Sequence, residues 1–483
     1  MSLGDRAARG SKVVLLTQAV RAGLQFASMI ILARLLDPSV FGLVAMVTAV
    51  IGIADLVRDF GLSSAAIQSP TLSRDERTNL FWVNLGFGAL CTAVVASCAP
   101  LIQAIYDQAG LTPIILSLSA VFLISGANTQ FRADLTRSMR YGKLAAADIT
   151  AQAVGIAVAA GLAVAGAGVW ALVAQQLTVA IVSLAMNVVS TRWLPGPPRR
   201  RVSLRRFFAF GSSLFATQAL TYLTKNVDNI ALGVYSGPYQ LGLYSRAYQL
   251  LMTPLNQINA PMTGVALPVL SKIQDDDERF ARYLGRAQLV ACYLTASIFA
   301  VAAGVSGPLT LVLFGEAWAP VAPIFAILAI GGIFRSIQQI AYWTYLAKGR
   351  TGAQLKMILV TRPLMIAIIL AGVPWGPIGV AVGHTVAYFL FWLVSVRHVG
   401  RVTGVDSARL LRNAVRPVAL VSLPAGAVAF AATLLPLPPL ADLGAGVVAA
   451  GLFVVLMIAV VRPVREDVSV LRDFVRRAGG RST

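Results

Sequence analysis

Apolar residues run through this chain in long blocks that are separated by short polar or basic segments. A helix needs about twenty mostly apolar residues to cross the hydrocarbon core of a bilayer. About fourteen blocks are of that kind, and each predicts a membrane-spanning helix. The predicted spans are 13–36, 40–63, 80–106, 111–131, 144–165, 168–190, 207–234, 240–266, 287–314, 321–346, 357–374, 377–396, 417–435 and 441–461. The pattern therefore predicts an all-α membrane protein.

Composition agrees with that prediction, because 57% of the 483 residues are hydrophobic and only 12% are charged. A soluble domain carries about 25% charged residues. The formal net charge is +20, but the basic residues lie in short blocks between apolar runs. A nucleic-acid-binding protein concentrates them on one soluble face instead. We therefore expect the lipid bilayer, and no nucleic acid, as the partner of this chain.

The basic residues also predict the orientation of the spans. If the N-terminus lies inside, the connections alternate between the two sides of the membrane. The inner segments are then 1–12, 63–79, 132–143, 191–206, 267–286, 347–356, 397–416 and 462–483. The outer connections contain no Lys or Arg, seven of the 40 lie inside spans, and all others lie in the inner segments. This asymmetry predicts a multi-pass protein of the inner membrane with both termini in the cytoplasm.

Two parts of the chain resemble each other at a spacing of 200 residues. The tripeptide Thr-Gln-Ala at 17–19 recurs at 217–219, and Pro-x-x-x-Gly-Leu at 38–43 recurs at 238–243. The spacing covers an even number of spans, so both copies have the same orientation. Parallel repeats of this kind place a substrate cavity between two lobes. We predict two pseudo-symmetric six-helix lobes plus two C-terminal helices.

These features predict five segments. They are an N-terminal lobe at 1–190, a basic cytoplasmic linker at 191–206, a C-terminal lobe at 207–400, two extra helices at 401–461 and an amphipathic tail at 462–483. The tail has apolar residues on one face and arginines opposite, so we expect it on the surface of the inner leaflet.

Polar side chains within the spans indicate where a site could lie, since a charge there costs about 2.5–3.5 kcal/mol on insertion scales. Helical spacing aligns two stripes, Gln18, Arg21, Gln25 and Ser28 on the first helix and Gln218, Thr221, Lys225 and Asp228 on the seventh. Two readings remain open, a cavity lining and a structural hydrogen-bond seam between helices.

Further polar side chains lie on the eighth, tenth and eleventh spans. Cations suit a phosphate or diphosphate group, and amides and aromatic rings suit a carbohydrate. The predicted substrate-binding residues are Arg21, Gln25, Lys225, Tyr248, Asn256, Arg335, Gln339 and Arg362.

Four titratable residues are candidates for coupling transport to an ion. They are Asp228, His384, Asp55 and Asp59. The alternatives are that the two aspartates of the second span neutralise Arg58 and that the histidine is a packing residue. The three cysteines lie in apolar runs without metal-type spacing, so no metal site is predicted.

Three segments resemble a known family. They are Leu-Ala-Arg-Leu-Leu-Asp-Pro-Ser-Val-Phe-Gly-Leu at 32–43, Gly-Leu-Ser-Ser-Ala-Ala-Ile-Gln at 61–68 and Leu-Gly-Leu-Tyr-Ser-Arg-Ala-Tyr at 241–248. They resemble Wzx-type oligosaccharide and lipopolysaccharide flippases of the polysaccharide-transporter family, within the multidrug/oligosaccharidyl-lipid/polysaccharide (MOP) exporter superfamily. The resemblance covers most of the chain to about residue 400.

The resemblance implies a V-shaped, MATE-like pair of lobes and a secondary transporter without enzymatic activity. Its substrate would be an undecaprenyl-diphosphate-linked oligosaccharide, moved from the cytoplasmic to the periplasmic leaflet by alternating access for O-antigen, capsule or exopolysaccharide synthesis. It implies no cofactor, coupling to H⁺ or Na⁺, and a polysaccharide polymerase or co-polymerase as a further partner. The diphosphate would pair with Arg21, Lys225, Arg335 or Arg362.

Three other functions are kept as alternatives. A lipid II flippase has the same number of helices, and a MATE-like exporter has a related fold. An integral-membrane glycosyltransferase or polymerase would need catalytic groups in sizeable outer loops, and those loops are short here.

Overall fold

The computed structural model of this chain consists of α-helices joined by short turns. It describes the backbone of residues 3–69, 71–199 and 204–478. Side chains are described over the same ranges, apart from those of residues 3–16, 53, 56, 206, 209–221, 223–225 and 473–478. The predicted all-α class is confirmed, because every regular element within these ranges is a helix.

The first seven helices follow the predicted order. They are α1 (Leu3–Leu35), α2 (Pro38–Asp59), α3 (Leu62–Gln68), α4 (Arg74–Tyr106), α5 (Leu111–Arg137), α6 (Tyr141–Val164) and α7 (Val169–Thr191). The short α3 lies in a segment predicted to be an inner loop.

The next helix, α8 (Arg205–Lys272), contains two predicted spans. Gly237 interrupts it with φ 75° and ψ 179°, a conformation that glycine adopts readily and other residues rarely do. Pro238 follows, and its fixed φ suits the first position of a new helical segment. The break therefore falls at the predicted boundary between the spans 207–234 and 240–266.

Eleven more helices follow. They are α9 (Asp277–Ala291), α10 (Ser297–Gly304), α11 (Ser306–Phe314), α12 (Val321–Ile337), α13 (Gln339–Ala347), α14 (Thr351–Ala371), α15 (Gly376–Thr403), α16 (Ser407–Pro417), α17 (Leu423–Ala432), α18 (Pro439–Val460) and α19 (Arg462–Ala478). Single π-helical turns at Cys292–Ala296 and Val418–Ser422 connect α9 to α10 and α16 to α17, so each pair runs as one helix.

All fourteen predicted spans coincide with a helix or a continuous run of helices. Within the described residues, ten helical stretches are long and apolar enough to cross a membrane, and the stretch Thr351–Thr403 contains two predicted spans. The chain is a multi-pass membrane protein.

The chain forms two compact units, an N-terminal unit (Met1–Gly242) and a C-terminal unit (Leu243–Thr483). The boundary falls shortly after the break in α8. The predicted lobes, divided at 191–206, rest on the sequence repeat and stay a prediction.

In the N-terminal unit, α4 and α5 cross at two glycines. A Cβ atom on Gly88 would lie 2.6 Å from the carbonyl oxygen of Phe122, and one on Gly126 would lie 2.6 Å from that of Asn84. Beside this crossing, Gln130 Nε2 donates to Asn84 Oδ1 at 2.8 Å, and both side chains are buried. Small residues and buried amides hold membrane helices together where lipid supplies no hydrophobic driving force.

The duplicated Pro-x-x-x-Gly motif packs against its own second copy within the N-terminal unit. A Cβ atom on Gly42 would lie 1.7 Å from the carbonyl oxygen of Pro238, and one on Gly242 would lie 1.9 Å from that of Pro38. The two contacts are reciprocal, so the start of α2 touches residues 238–242 of α8 backbone to backbone, within the N-terminal unit. Only glycine allows that approach.

The described part of the linker lies against α4. Asn79 donates to the carbonyl oxygen of Arg199 at 2.7 Å and accepts its backbone N–H at 2.8 Å. Trp82 Nε1 donates to the carbonyl oxygen of Gly196 at 2.8 Å. These bonds fix the linker to the N-terminal unit on the side where α4 begins.

The amphipathic helix α19 packs against α9 and α18 within the C-terminal unit. Val464 is 1% exposed and Asp467 is also buried. The carboxylate of Asp467 accepts from the guanidinium of Arg416 in α16 and, at 2.9 Å, from the hydroxyl of Tyr293. The described part of the predicted tail is thus a helix whose inner face carries a partly buried ion pair with α16, while its place on the inner leaflet stays a prediction.

Candidate functional site

The predicted site residues are divided between the two units. The N-terminal unit contains Arg21, Gln25, Asp55, Asp59, Lys225 and Asp228, and the C-terminal unit contains Tyr248, Asn256, Arg335, Gln339, Arg362 and His384.

In the C-terminal unit, Arg335 of α12 is held between two tyrosines. Its Nη1 donates to the hydroxyl of Tyr248 at 3.1 Å, and its guanidinium carbon lies 4.8 Å from the ring centre of Tyr388. A guanidinium stacked on an aromatic face is attracted to the ring and keeps a fixed plane. The side chain is half-buried.

The same group of side chains includes His384 and Arg362. His384 is buried, and its ring lies 5.5 Å from that of Tyr248 and 4.7 Å from that of Tyr388. The guanidinium carbon of Arg362 in α14 lies 5.3 Å from the ring centre of Phe391. Phe391 and His384 lie seven residues apart on α15, so Arg362 packs against the same helix that carries the histidine.

We call Tyr248, Arg335, Arg362, His384, Tyr388 and Phe391 the cationic–aromatic patch. Four of its members were predicted from the sequence. Tyr388 and Phe391 were not, although they follow His384 by four and seven residues, which places all three on one face of α15. The patch presents two planar cations supported by rings, an arrangement suited to a phosphate or diphosphate group.

The two other predicted residues of the C-terminal unit are Gln339 and Asn256. Gln339 Nε2 donates to Thr263 Oγ1 at 3.2 Å, and Trp343 Nε1 donates to the same oxygen at 2.9 Å. Asn256 is exposed. The hydrogen bond between Gln339 and Thr263 joins α13 to α8.

In the N-terminal unit, Arg21 is joined to residues that the sequence did not single out. Its Nη1 lies 3.1 Å from Asp148 Oδ2, and Arg132 binds the same carboxylate at 2.5 and 3.2 Å. Asp148 in α6 thus bridges α1 and α5. Gln25 is exposed, whereas Ser28 on the same predicted stripe is buried.

A cavity of about 380 Å³ opens where α2, α3 and α5 end or begin. Its lining is Asp55, Arg58, Asp59, Gly61, Ser63, Ile67, Thr129, Arg132, Ala133 and Thr136. We call it the polar chamber. Arg58 Nε donates to Asp55 Oδ1 at 2.8 Å and Arg58 Nη1 donates to Thr129 Oγ1 at 2.7 Å.

The walls of the polar chamber are fixed by bonds behind it. Arg137 of α5 donates to the carbonyl oxygens of Ala66, at 3.0 Å, and Ser69, which secures α3. Arg77 of α4 forms an ion pair with Asp134 of α5. These contacts hold α3, α4 and α5 as one frame around the chamber.

The remaining candidates lie on the first segment of α8. Asp228 is buried, and its carboxylate accepts the backbone N–H of Asn229 at 2.9 Å. The side chain of Lys225 lies outside the described residues, so its predicted role stays a prediction.

The sequence of this chain is similar to those of known proteins of polysaccharide synthesis. The lipopolysaccharide biosynthesis protein WzxC of Escherichia coli (strain K12) is 27% identical over 402 residues, which cover 82% of this chain and 81% of WzxC. The teichuronic acid biosynthesis protein TuaB of Bacillus subtilis (strain 168) is 26% identical over 306 residues, 62% of each chain.

A solved structure of the lipid II flippase MurJ in an inward closed conformation matches with a TM-score of 0.72 at 15% identity, over 94% of this chain and 99% of that one. At that identity the match shows the fold alone. Residues 31–323 match the sequence profile of a family described as polysaccharide biosynthesis protein. The profile spans more than half of the chain and confirms the predicted resemblance: this chain belongs to the polysaccharide biosynthesis protein family.

Proposed function

We propose that this chain is a flippase that moves a lipid-linked oligosaccharide across the bacterial inner membrane during polysaccharide synthesis. The observation that carries the proposal is the cationic–aromatic patch. Arg335 and Arg362 lie in helical stretches that are long and apolar enough to cross a membrane. Cations at such positions are costly and mark substrate pathways more often than packing sites. Membership of the polysaccharide biosynthesis family supports the same function.

The chemistry of the patch supports an undecaprenyl diphosphate as the lipid part. A planar guanidinium matches two oxygens of a phosphate, and the aromatic rings keep that plane in place. The polyprenyl tail would stay in lipid, while the sugar hydroxyls need polar partners that hydrocarbon cannot supply. In this proposal the substrate enters from the cytoplasm and leaves on the periplasmic side by alternating access, and both termini are cytoplasmic.

The function is tested by deleting the gene and restoring it as variants. Arg335→Ala is expected to insert at the wild-type level but to fail in restoring surface polysaccharide, with lipid-linked repeat units accumulating in the inner leaflet. Arg335→Lys is expected to restore part of the activity, because it keeps the charge and loses the planar stack. Surface polysaccharide and extracted lipid-linked sugars are the two measurements.

Arg409→Ala is the matched control, since Arg409 is exposed on α16 outside the patch, and it should complement fully. Full complementation by Arg335→Ala would contradict the assignment of the patch. Accumulation of peptidoglycan precursors instead of repeat units in the deletion strain would favour a lipid II flippase.

We further propose Asp228 as the residue that couples transport to H⁺ or Na⁺. A buried carboxylate in a membrane helix is costly and therefore a candidate for ion binding. Asp228→Asn keeps the acceptor for the N–H of Asn229 and removes the charge. We expect this variant to insert normally and to show a flipping rate that no longer changes when the ion gradient is collapsed. A rate as sensitive as that of the wild type would contradict the proposal.

A further inference from the structure

The polar chamber differs from the cationic–aromatic patch in its charge balance. Its lining contains two carboxylates, Asp55 and Asp59, and two guanidinium groups, Arg58 and Arg132, so its formal charge is zero. A diphosphate needs net positive charge, because moving it out of water is costly unless a cation offsets that loss. The chamber therefore does not suit the anionic part of the substrate.

The ion pairs inside the unit strengthen that distinction. Arg58 is bound to Asp55 at 2.8 Å, and Arg132 is bound to Asp148 at 2.5 and 3.2 Å. An anion would have to compete with a carboxylate for each arginine. A neutral hydroxyl would not, because it can donate to a carboxylate and accept from a guanidinium at the same time without separating the pair.

The chamber has hydrogen-bonding capacity to spare for such hydroxyls. A guanidinium has five N–H donors and a carboxylate has about four acceptor positions. In the described contacts Arg58 uses one N–H on Asp55 and one on Thr129, and Asp59 accepts one bond from Ser63 at 2.9 Å. Alternating donors and acceptors around a small space are what a sugar ring with neighbouring hydroxyls requires.

Volume and lining limit the ligand further. About 380 Å³ is near the lower end of the range for small-molecule sites, so it suits one or two sugar rings better than a long lipid chain. Ile67 and Ala133 are the aliphatic side chains in the lining, which is too little apolar surface for a tail. We propose that the polar chamber of the N-terminal unit is a binding subsite for a neutral sugar ring of the transported oligosaccharide. This inference rests on the proposed function and assigns the sugar part to different residues from the diphosphate.

The test measures binding, separately from transport. The purified full chain in lipid nanodiscs is titrated with methyl α-D-glucopyranoside and methyl α-D-galactopyranoside by saturation-transfer NMR, and with inorganic pyrophosphate by calorimetry. Asp59→Asn keeps the acceptor for Ser63, and Thr129→Val keeps the shape of the side chain. Each is expected to weaken binding of at least one glycoside about fivefold and to leave pyrophosphate binding unchanged. Arg335→Ala is expected to do the opposite.

Two variants serve as matched controls. Glu278→Gln changes an exposed carboxylate, and Thr344→Val changes a buried threonine whose hydroxyl bonds only its own helix among the described residues. Both should bind glycosides like the wild type.

Glycoside binding that is absent in the wild type, or equal in Asp59→Asn, Thr129→Val and the controls, would overturn the subsite. Loss of pyrophosphate binding in Asp59→Asn would show that the chamber takes the anion instead. If glycoside binding depends on the chamber but Arg335→Ala complements fully, the sugar subsite is supported. The proposed diphosphate route through the cationic–aromatic patch is then contradicted.

Discussion

Replacing Gly42 by alanine is expected to destabilise the N-terminal unit severely and to abolish transport. The new Cβ atom would lie 1.7 Å from the carbonyl oxygen of Pro238. Non-bonded heavy atoms need about 3 Å or more, so the start of α2 and residues 238–242 of α8 would have to separate by roughly 1.5 Å. A backbone carbonyl cannot rotate away like a side chain. The cost should therefore be at the upper end of overpacking, about 3 kcal/mol or more.

The reciprocal variant Gly242→Ala should behave alike, because its Cβ atom would lie 1.9 Å from the carbonyl oxygen of Pro38. The measurements are the yield of folded protein and the thermal unfolding midpoint in detergent. Gly86→Ala in α4 is the matched control, since a Cβ there has no neighbour within 4 Å. Its higher helix propensity should leave stability unchanged or raise it by up to about 1 kcal/mol. Equal unfolding midpoints for Gly42→Ala and Gly86→Ala would contradict the contact.

The helices were predictable because the bilayer imposes a simple rule on length and polarity. The predicted spans 80–106 and 441–461 coincide closely with α4 and α18. In lipid, a helix is one of the few structures that can satisfy the hydrogen bonds of twenty successive backbone groups. The break in α8 falls between the predicted spans 207–234 and 240–266. The short helix α3 was missed, because seven residues beside a basic loop carry no spanning signal.

The patch was predictable in part because charge within a span is rare. Arg335, Arg362 and His384 stand out for that reason alone. Their aromatic neighbours do not, since Tyr388 and Phe391 look like ordinary lipid-facing or core residues in the sequence.

Pairs across turns and between distant segments were not predictable. Arg132 lies in a predicted loop and Asp148 in a predicted span, and only the antiparallel packing of α5 and α6 brings them together. The Pro-x-x-x-Gly repeat was visible as duplication, but a spacing of 200 residues says nothing about contact. That the two copies touch each other is a property of three-dimensional packing, and it explains why both need glycine.

Replacing Asp467 by alanine is expected to release α19 from the neighbouring helices of the C-terminal unit. The carboxylate is 7% exposed and bridges the guanidinium of Arg416 and the hydroxyl of Tyr293. Its removal leaves a partly buried cation and a hydroxyl without their acceptor, which costs about 1–3 kcal/mol for each group that stays buried. Detachment of the helix lets water reach both groups, so the loss should appear as local opening. Limited trypsin digestion measures it, because Arg465 and Arg472 are exposed cleavage sites in α19.

The neighbouring residue provides a control on the same helix. Glu466 forms an exposed i, i+4 pair with Arg462 at 2.9 Å, and such pairs contribute little to stability. Glu466→Ala should therefore be cleaved at the wild-type rate, while Asp467→Ala is cleaved at least several times faster. The double variant Arg416→Ala, Asp467→Ala should lose less than the sum of the two single changes, because neither partner then leaves the other without a counter-charge. Equal cleavage of Asp467→Ala and Glu466→Ala would mean that α19 is held by its apolar face alone, through Val464 and its neighbours. The ion pair between Asp467 and Arg416 would then contribute nothing to docking.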